Sequence, residues 1–511
     1  MEIRKEATMV TRHLEDATAS QRRETHAHPF APGDGARAVV VEDFAPGLER
    51  AFPAEFAECD SVLHATGCLP DFVRGTYYLN GPARFGRGDL VYQHWLDGDG
   101  MVCALRFAKD GIHFKQRYVR SRKLEEEQSS GEPLFRTFGT AFPGSRLNRV
   151  NNALESPVNV SVYPFEKRLL AFGEQGLPWE LDPDTLETRR QFDFNGRLND
   201  ASPFSAHTKF DPASGEMFNF GVFFSPHNPR LYFYGFGPEG MRYRKAVPLK
   251  HPCSVHDFSI SKNYAVVYLS PYLLDVSGVV QDGRSVMDCL RWEPEQGSQL
   301  LVLSRRSGEV VVSIPAGHRY CLHLINCFES GERLTVDVLE FDEPLYRHYQ
   351  PVPNLFHDVS RGGPVRFVID LHSHEIAERV AVDYDKSPDF PAIDPRRNMH
   401  SYEDFWMLAI SAAGHRGRKF FDQLVHANWN AGGASDIYQS PPGCYLGAEP
   451  VFAGDSCSEQ AVVICQEFNA RTCKSSFLFF DAYNVRSGPL ATIALEEACY
   501  LGFHAIFQPE G

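Results

Sequence analysis

The sequence has no long hydrophobic run and no excess of positive charge, and both absences exclude classes of protein. No segment approaches the roughly 18 uninterrupted apolar residues of a membrane-spanning helix, and the mean hydropathy is -0.31. The formal net charge of -15 at pH 7 argues against general binding to nucleic acid or to anionic membranes. We therefore predict an acidic enzyme with no nucleic-acid partner and at most weak peripheral membrane contact.

A secretory signal and a cysteine framework are also missing. The first 30 residues carry charges of both signs and no apolar core, so we predict a flexible tail over residues 1–35 and one catalytic domain over residues 36–511. The 12 cysteines show no disulfide-framework spacing, which predicts reduced thiols and a cytoplasmic location.

Helical periodicity is scarce, and the turn signals are those of successive β-hairpins. Short runs rich in Val, Ile, Leu, Phe and Tyr alternate with turn signals such as residues 211–215 and 330–332. Residues 396–411 are ambiguous between helix and strand. We predict an all-β fold. Strand pairs that recur at roughly 50 to 70 residues are compatible with propeller blades carrying long insertions, but they do not give the number of blades.

Four histidines each begin a short apolar run, and none of them has the short metal-binding spacing of a zinc finger or of a His-Glu-x-x-His motif. These are His207, His256, His323 and His504. Imidazole binds iron, copper, zinc and nickel, so four strand ends could together hold one ion and leave positions free for substrate. Taken singly, each is better explained as a buried histidine bonded to a backbone carbonyl, so spacing alone does not identify a site.

The residues around the four histidines resemble the motifs of the carotenoid cleavage oxygenase family, in the order that the family has them. The matching segments are 206–211 (AHTKFD), 255–260 (VHDFSI), 322–329 (LHLINCFE) and 502–507 (GFHAIF). Thr208 stands where proline is usual and Ala505 where glycine is usual, and neither change removes a histidine. Further matches lie at residues 80–82, 94–101 and 174–188, and the resemblance extends from about residue 70 to the end of the sequence.

The resemblance implies a seven-bladed β-propeller, with loops and short helices capping one face over an axial metal site. Histidines at the inner ends of different blades would meet there, which explains their wide separation in sequence. The family pattern assigns Fe(2+) to the four histidines and assigns three acids to hold the imidazole rings, here Glu174, Asp389 and Glu449. Asp389 replaces the usual glutamate and is one methylene shorter, so either its strand lies closer to the histidine or a water fills the gap.

A further difference from the family lies at residues 159–162, which read Asn-Val-Ser-Val where many cleaving members have Asn-Thr-Asn-Val. Val160 would then lie near the open metal position in place of threonine, as in the animal retinoid isomerohydrolase of the family. A methyl group there could shape O2 access, and it raises a non-oxygenase isomerase as an alternative. Residues 138–145 lack the Pro-Asp-Pro-Cys-Lys run of the animal branch, which argues against close identity with the isomerohydrolase.

The function implied by the resemblance is a non-haem Fe(II) dioxygenase. It would use O2 to cleave a conjugated C=C bond of a carotenoid or apocarotenoid into aldehyde or ketone products. The 39 Phe, 20 Tyr and 5 Trp suit an aromatic-lined tunnel, although most aromatic residues of a β protein pack between sheets. Residues 223–226 and 231–236 are candidates for the tunnel entrance.

Several alternatives stay open at this stage. Relatives that cleave stilbenoids anchor a phenol through a tyrosine and a lysine, for which Tyr92 and Lys123 are candidates. Residues 372–374 place two histidines on the same face of a predicted strand, a spacing that could bind zinc, and residues 26–28 form a weaker pair in the tail. The sequence does not determine the substrate, the cleaved bond or the oligomeric state.

Overall fold

A computed structural model describes residues 42–148, 154–455 and 457–510, and within them the backbone but not the side chains of residues 433–435. Seven antiparallel sheets of four or five strands follow one another along the described chain. In five of the seven neighbouring pairs of sheets, the first strands contact each other. The architecture is a seven-bladed β-propeller, which confirms the predicted fold class. The predicted tail and the histidine pair at residues 26–28 lie outside the described residues.

The blades are numbered here in chain order, and the strands of each are given from the innermost outward. Blade 1 contains Ala505–Pro509, Gly75–Pro82, Gly100–Ala108, Gly111–Tyr118 and Cys59–Leu63. Blade 2 contains Ser161–Phe165, Arg168–Phe172, Trp179–Leu181 and Thr188–Gln191. Blade 3 contains Lys209–Asp211, Glu216–Phe223, Arg230–Gly237 and Gly240–Pro248. Blade 4 contains Phe258–Ile260, Tyr264–Leu269, Ser298–Ser304 and Val310–Gly317.

The remaining three blades follow the same plan. Blade 5 contains Tyr320–Ser330, Arg333–Phe341, Gly362–Asp370 and Glu375–Ala381. Blade 6 contains Ser387–Ala392, Asp404–Ile410, Gln423–Asn428 and Gly433–Gln439. Blade 7 contains Cys444–Gly454, Ala461–Asn469, Lys474–Asp481, Ala491–Ala494 and Ala65–Gly67. Three two-stranded sheets pair Glu42–Asp43 with Gly417–Arg418 in parallel, and Gly86–Arg87 with Leu90–Val91 and Tyr272–Leu274 with Leu290–Trp292 antiparallel.

Blades 1 and 7 each combine segments that are distant in sequence, and this closes the ring. The innermost strand of blade 1, Ala505–Pro509, pairs antiparallel with Gly75–Pro82, with Ala505 opposite Leu79. The outermost strand of blade 7, Ala65–Gly67, pairs with Ala491–Ala494. Because each exchange adds a complete strand ladder, the first and last blades are tied together by backbone hydrogen bonds as well as by packing.

Burial along the strands follows their place in a blade. Inner strands are covered on both faces by the neighbouring blades, and Asp404–Ile410 accordingly has six consecutive buried residues. Gly111–Tyr118 alternates instead, with every second side chain buried, as expected where one face meets water. The outermost strand of blade 5, Glu375–Ala381, is almost entirely exposed. The apolar core therefore lies between blades and near the axis.

Short helices and long insertions cover one end of the axis, as the resemblance implies. The α-helices are Arg122–Ser130, Val276–Val280 and Val286–Cys289. The 3-10 helices are Leu48–Ala51, Trp95–Asp97, Pro294–Gln296, Pro395–Arg397, Trp429–Ala431 and Val485–Ser487. Within the described residues, no helix is both long and apolar enough to cross a membrane.

The structure decides two local expectations from the sequence, for residues 396–411 and for residues 372–374. The ambiguous segment 396–411 holds the end of a 3-10 helix and the strand Asp404–Ile410, and no α-helix. The histidines of residues 372–374 do not lie on a strand, because this segment is the exposed turn between the last two strands of blade 5. The Asp370 carboxylate accepts hydrogen bonds from the backbone N–H groups of His372 and Ser373 and fixes that turn. The zinc alternative therefore has no structural support.

Candidate metal centre

Each of the four predicted histidines lies within the innermost strand of a blade or at most two residues before it. His207 and His256 lie two residues before the first strands of blades 3 and 4, His323 lies within the first strand of blade 5, and His504 directly precedes the first strand of blade 1. Inner strands converge on the axis, so side chains from four blades meet at one point. One nitrogen from each histidine lies within 4.8 Å of the other three. The Nε2 atom of His256 is 3.0 Å from that of His207 and 3.1 Å from that of His323.

Three of these rings bond through Nδ1 to the predicted acids. The Nδ1 atom of His256 is 2.9 Å from Glu174 Oε1, that of His323 is 2.5 Å from Asp389 Oδ1, and that of His504 is 3.1 Å from Glu449 Oε2. A carboxylate can only accept, so each Nδ1 carries the proton and each Nε2 keeps its lone pair. The acids therefore set the tautomer that metal binding requires.

The convergence of the Nε2 lone pairs indicates whether these residues can hold a metal ion. Two lone pairs 3.0 Å apart repel each other unless a cation lies between them. Burial lowers the pKa of His207 well below its usual value, and the other histidines add to this effect, so protonation is disfavoured. Burial also lowers the pKa of His504, although Glu449 acts in the opposite direction. The donor set of four neutral imidazoles fits a transition-metal ion.

His256 has a different electrostatic environment from the other ligands. Burial alone would lower its pKa, but the surrounding carboxylates, Glu174 first and then Asp257 and Asp389, together raise the pKa. The side chain of His256 is also the most accessible of the four, with 14% of its surface exposed. His256 is therefore the ring whose metal binding competes most directly with a proton.

The fourth ring, His207, has an acidic neighbour that the sequence did not reveal. The Nδ1 atom of His207 is 3.4 Å from Asp257 Oδ1, and Lys209 Nζ is 2.9 Å from the same oxygen. The other oxygen of Asp257 accepts a hydrogen bond from the Leu324 N–H, beside His323. Burial is the largest single influence and would raise the pKa of Asp257, but Lys209, His323 and the Leu324 N–H together lower it. One ionised carboxylate thus links blades 3, 4 and 5 behind the histidines.

Bulges in blades 6 and 7 explain how two of the acids reach the axis. The register shifts between Asp389 and Ala392 in the first strand of blade 6, and between Gly447 and Val451 in that of blade 7. Phe390 and Ala448, the neighbours of the two acids, have positive φ angles of 52° and 63°. A bulge re-aims a side chain that a regular strand would direct elsewhere. Asp389 therefore contacts His323 directly, so its missing methylene leaves no gap for a water.

A small chamber adjoins the histidine cluster and is lined by three of its four members. Its volume is about 50 Å3, and its walls include the histidines His256, His323 and His504. Val160 lines it and is almost completely buried. The carbonyl oxygen of Val160 accepts a hydrogen bond from the His504 N–H, which fixes the valine beside the ligand. The cap contributes Leu96, Phe138, Leu290 and Tyr346.

A longer cavity of about 420 Å3 adjoins this chamber and shares five wall residues with it. The shared residues are Leu96, Phe138, Glu174, Ser254 and Leu290. Its outer part is apolar, with Phe223, Phe224, Val276, Val279, Val280 and Val286 in the wall. Of the predicted entrance segment 223–226, Phe223 and Phe224 line this cavity. Residues 231–236, the other predicted entrance segment, do not line it, because they lie within the Arg230–Gly237 strand.

The sequence model of the retinal pigment epithelial membrane protein family matches residues 52–509. The chain belongs to this family. The match contains all four histidines and all three predicted acids, and it covers every blade.

Relatives within the family include several oxygenases. The apocarotenoid-15,15'-oxygenase of Synechocystis sp. is 27% identical over 460 residues, covering 85% of this chain and 90% of the relative. Resveratrol cleavage oxygenase 1 of Aspergillus fumigatus is 29% identical, and the aligned region covers 77% of this chain and 80% of the relative. A crystal structure of a Synechocystis apocarotenoid oxygenase variant has a TM-score of 0.82 at 24% identity, covering 92% of this chain and 100% of that chain. These similarities confirm the fold and the prediction that the chain is an oxygenase.

The tyrosine and lysine considered as a phenol anchor for a stilbenoid-cleaving family member are bonded elsewhere. Lys123 is fully buried, and its three donors reach Asp99 Oδ1 at 2.7 Å, Glu127 Oε2 at 3.0 Å and the Tyr92 hydroxyl at 3.1 Å. Neither Tyr92 nor Lys123 lines the chamber or the adjoining cavity. The pair belongs to a charge cluster that attaches helix Arg122–Ser130 to blade 1.

Replacing Asp389 with asparagine is expected to weaken metal binding about 10- to 100-fold, because the His323 ring loses the charge that fixes its tautomer. The dissociation constant, measured by competition with a chelator of known affinity, tests this expectation. Asp385→Asn is the matched control, since Asp385 lies four residues earlier with 70% of its side chain exposed. Equal metal affinity of the Asp389 variant and the control would contradict the assignment.

Proposed function

We propose that this chain is a non-haem Fe(II) dioxygenase that cleaves a conjugated carbon–carbon double bond with O2, giving two carbonyl products. The supporting observation is a largely apolar cavity that shares five wall residues with a chamber lined by three of the four clustered histidines. One alkene and one O2 molecule account for every atom of two aldehydes or ketones. No proton donor or acceptor of the protein is needed to balance the reaction.

In this proposal His207, His256, His323 and His504 hold Fe(2+), and Glu174, Asp389 and Glu449 hold the rings. Four neutral ligands leave the ion its full charge and leave coordination positions free. When bound, Fe(2+) supplies the activation of O2 that carbon–carbon cleavage requires. Val160, Phe138 and Leu96 exclude water and hold the double bond in one position relative to the ion, which determines the bond that is cleaved.

Carotenoids or apocarotenoids are the substrate class that we propose first. Phe223, Phe224, Val276, Val279, Val280 and Val286 give the cavity an apolar wall against which an extended polyene can pack. The Synechocystis relative, named for apocarotenoid cleavage, covers more of this chain than the Aspergillus one. At about 420 Å3 the cavity lies in the lower half of the usual range for small-molecule sites. This size favours a shortened polyene over a full-length one.

A stilbenoid is the second candidate substrate, and one observation favours it. The Aspergillus fumigatus relative named for resveratrol cleavage has the higher identity of the two, at 29%. A stilbenoid is also a conjugated alkene, and it is shorter than most polyenes. Since Tyr92 and Lys123 do not line the cavity, it would have to be held by other residues.

Product analysis tests the reaction and the substrate class together. We expect the Fe(2+)-loaded protein in air to convert an apocarotenal, or failing that a hydroxystilbene, into two shorter carbonyl fragments detectable by liquid chromatography and mass spectrometry. With 18O2, each fragment should gain one labelled oxygen, and no product should form without O2. An isomer formed at the same rate in the absence of O2 would instead support the isomerase and exclude the proposal.

A further inference from the structure

Three tyrosines, Tyr272, Tyr320 and Tyr346, line the chamber beside three of the four histidines. Tyr320 begins the first strand of blade 5, and Tyr272 begins the small hairpin that covers blade 4. Tyr346 lies in the insertion between the second and third strands of blade 5. Three separate segments therefore bring phenol groups to one wall of an otherwise largely apolar space.

None of the three hydroxyls forms a hydrogen bond with a described residue. The buried hydroxyls of Tyr77 and Tyr384 also lack a partner, but neither of these residues lines the chamber. Tyr272 and Tyr320 are only 4% and 5% exposed. Buried tyrosines usually have a partner, as Tyr268 does in bonding Glu340 at 2.6 Å and Tyr402 in bonding Asp337 at 2.7 Å. The hydrogen-bonding capacity of the three chamber tyrosines is thus available to a molecule inside the chamber.

The three phenols lie near one another and near the acids behind the metal ligands. The rings of Tyr272 and Tyr320 meet edge to face with centroids 5.8 Å apart. Burial raises the pKa of Tyr346, and the carboxylates of Asp389 and Glu174 raise it further. Burial likewise raises the pKa of Tyr320, with Tyr272 and Tyr346 adding to the effect. All three hydroxyls stay protonated, so each can donate one hydrogen bond and accept others.

The ring of Tyr346 packs against the buried imidazole of His94. His94 packs edge to face against it with centroids 4.8 Å apart, and the Nδ1 atom of His94 accepts a hydrogen bond from the Leu96 N–H. Burial lowers the pKa of His94 to about 3, so this imidazole is neutral. A rigid, uncharged support of this kind suits a hydrogen-bonding group that must keep one orientation.

We propose that the hydroxyls of Tyr272, Tyr320 and Tyr346 bind an oxygen atom of the substrate. The preferred substrate is then a conjugated alkene with a hydroxyl or carbonyl group on the end that enters the chamber. This inference rests on the proposed function, since it concerns the same site. A hydrocarbon end would displace water from the phenols and leave them unpaired, whereas an oxygen atom pairs with them. Sites built around hydrogen-bonding groups reject analogues that lack the partner.

Ligand pairs that differ in one oxygen substituent test this proposal. The pairs are an apocarotenal with its parent hydrocarbon, and trans-4-hydroxystilbene with trans-stilbene. Dissociation constants are measured by tryptophan fluorescence on the metal-loaded protein without O2, so that no turnover is required. In at least one pair we expect the oxygenated member to bind about tenfold more tightly, corresponding to about one hydrogen bond. Equal affinities within both pairs, or no binding of either, would overturn the proposal.

Tyrosine-to-phenylalanine variants then assign the preference to residues. Tyr346→Phe, Tyr320→Phe or Tyr272→Phe should lose most of the preference for the oxygenated member, while the affinity for the hydrocarbon and the metal content stay unchanged. Tyr483→Phe is the control, since its ring is 48% exposed and lines neither cavity. Tyr92→Phe tests the rival anchor. If Tyr92→Phe removes the preference and all three chamber variants keep it, the proposal is wrong.

This experiment separates the binding inference from the proposed reaction. A preference that persists in wild-type protein but disappears in a chamber variant supports the inference even if no cleavage product forms in air. Cleavage in air that shows no preference between the members of either pair supports the oxygenase and refutes the tyrosine site. The two ideas can therefore fail independently.

Discussion

Replacing His256 with alanine is expected to abolish both metal binding and turnover. The Nε2 atom of His256 lies 3.0 Å from that of His207 and 3.1 Å from that of His323, so the substitution removes the nitrogen that lies close to both. The variant would also leave the Glu174 carboxylate without its imidazole partner. We expect metal content, measured by mass spectrometry of the digested protein, to fall below a tenth of the wild-type value. Product formation should become undetectable.

His372→Ala provides the matched control for this prediction. His372 is exposed in the outer turn of blade 5, so its removal should leave metal content, melting temperature and turnover unchanged. Turnover by metal-free His256→Ala protein would refute the role assigned to the four histidines. Metal loss in His372→Ala would instead revive the zinc alternative for residues 372–374.

Deleting residues 503–511 is expected to have the second largest effect, because it removes a ligand and a strand together. His504 and the strand Ala505–Pro509 are lost, and Gly75–Pro82 becomes the open inner edge of blade 1. Phe503, 4% exposed and 4.4 Å from the Trp95 ring centroid, is lost as well. Removal of one such aromatic side chain costs about 3 to 5 kcal/mol. We expect no metal binding and a melting temperature at least 10 °C lower.

The two consequences of this deletion can be measured separately. His504→Ala removes the ligand and keeps the strand, so it should lose the metal while its metal-free form melts close to metal-free wild type. Removal of residues 510 and 511 alone shortens the chain without touching the strand and should leave both properties unchanged. Full metal occupancy in the long deletion would contradict the assignment of His504 as a ligand.

Much of the site could be anticipated from the sequence because its residues lie within short motifs. The segments around His207, His256, His323 and His504 resemble family motifs closely enough to select four histidines out of 20. The number of blades could not be derived in the same way. Long insertions, such as the one between Phe341 and Gly362 in blade 5, hide the repeat period. Only the resemblance supplied the number seven.

The residues that the sequence did not reveal act through contacts between blades. Asp257 stands next to His256 in sequence, yet the ring it approaches is that of His207, on blade 3. Tyr272, Tyr320 and Tyr346 belong to separate segments, and nothing in their neighbours distinguishes them from the other tyrosines of the chain. Such groupings depend on the register of whole blades, which a pattern along one segment does not contain. Tyr92 and Lys123 show the reverse case, since a plausible residue pair proved to be fully bonded elsewhere.

Ring closure joins parts of the chain that are very distant in sequence. Trp95 Nε1 donates to the carbonyl of Leu501, 406 residues away, and the Tyr500 hydroxyl donates to that of Leu79, 421 residues away. Contacts across such separations form late, since closing long loops costs entropy. His207, His256 and His323 belong to the consecutive blades 3, 4 and 5, but His504 joins them only when the last strand of blade 1 has paired. Tight metal binding should therefore mark molecules that have finished folding, and the metal-to-protein ratio of a preparation should report its fraction of fully folded chains.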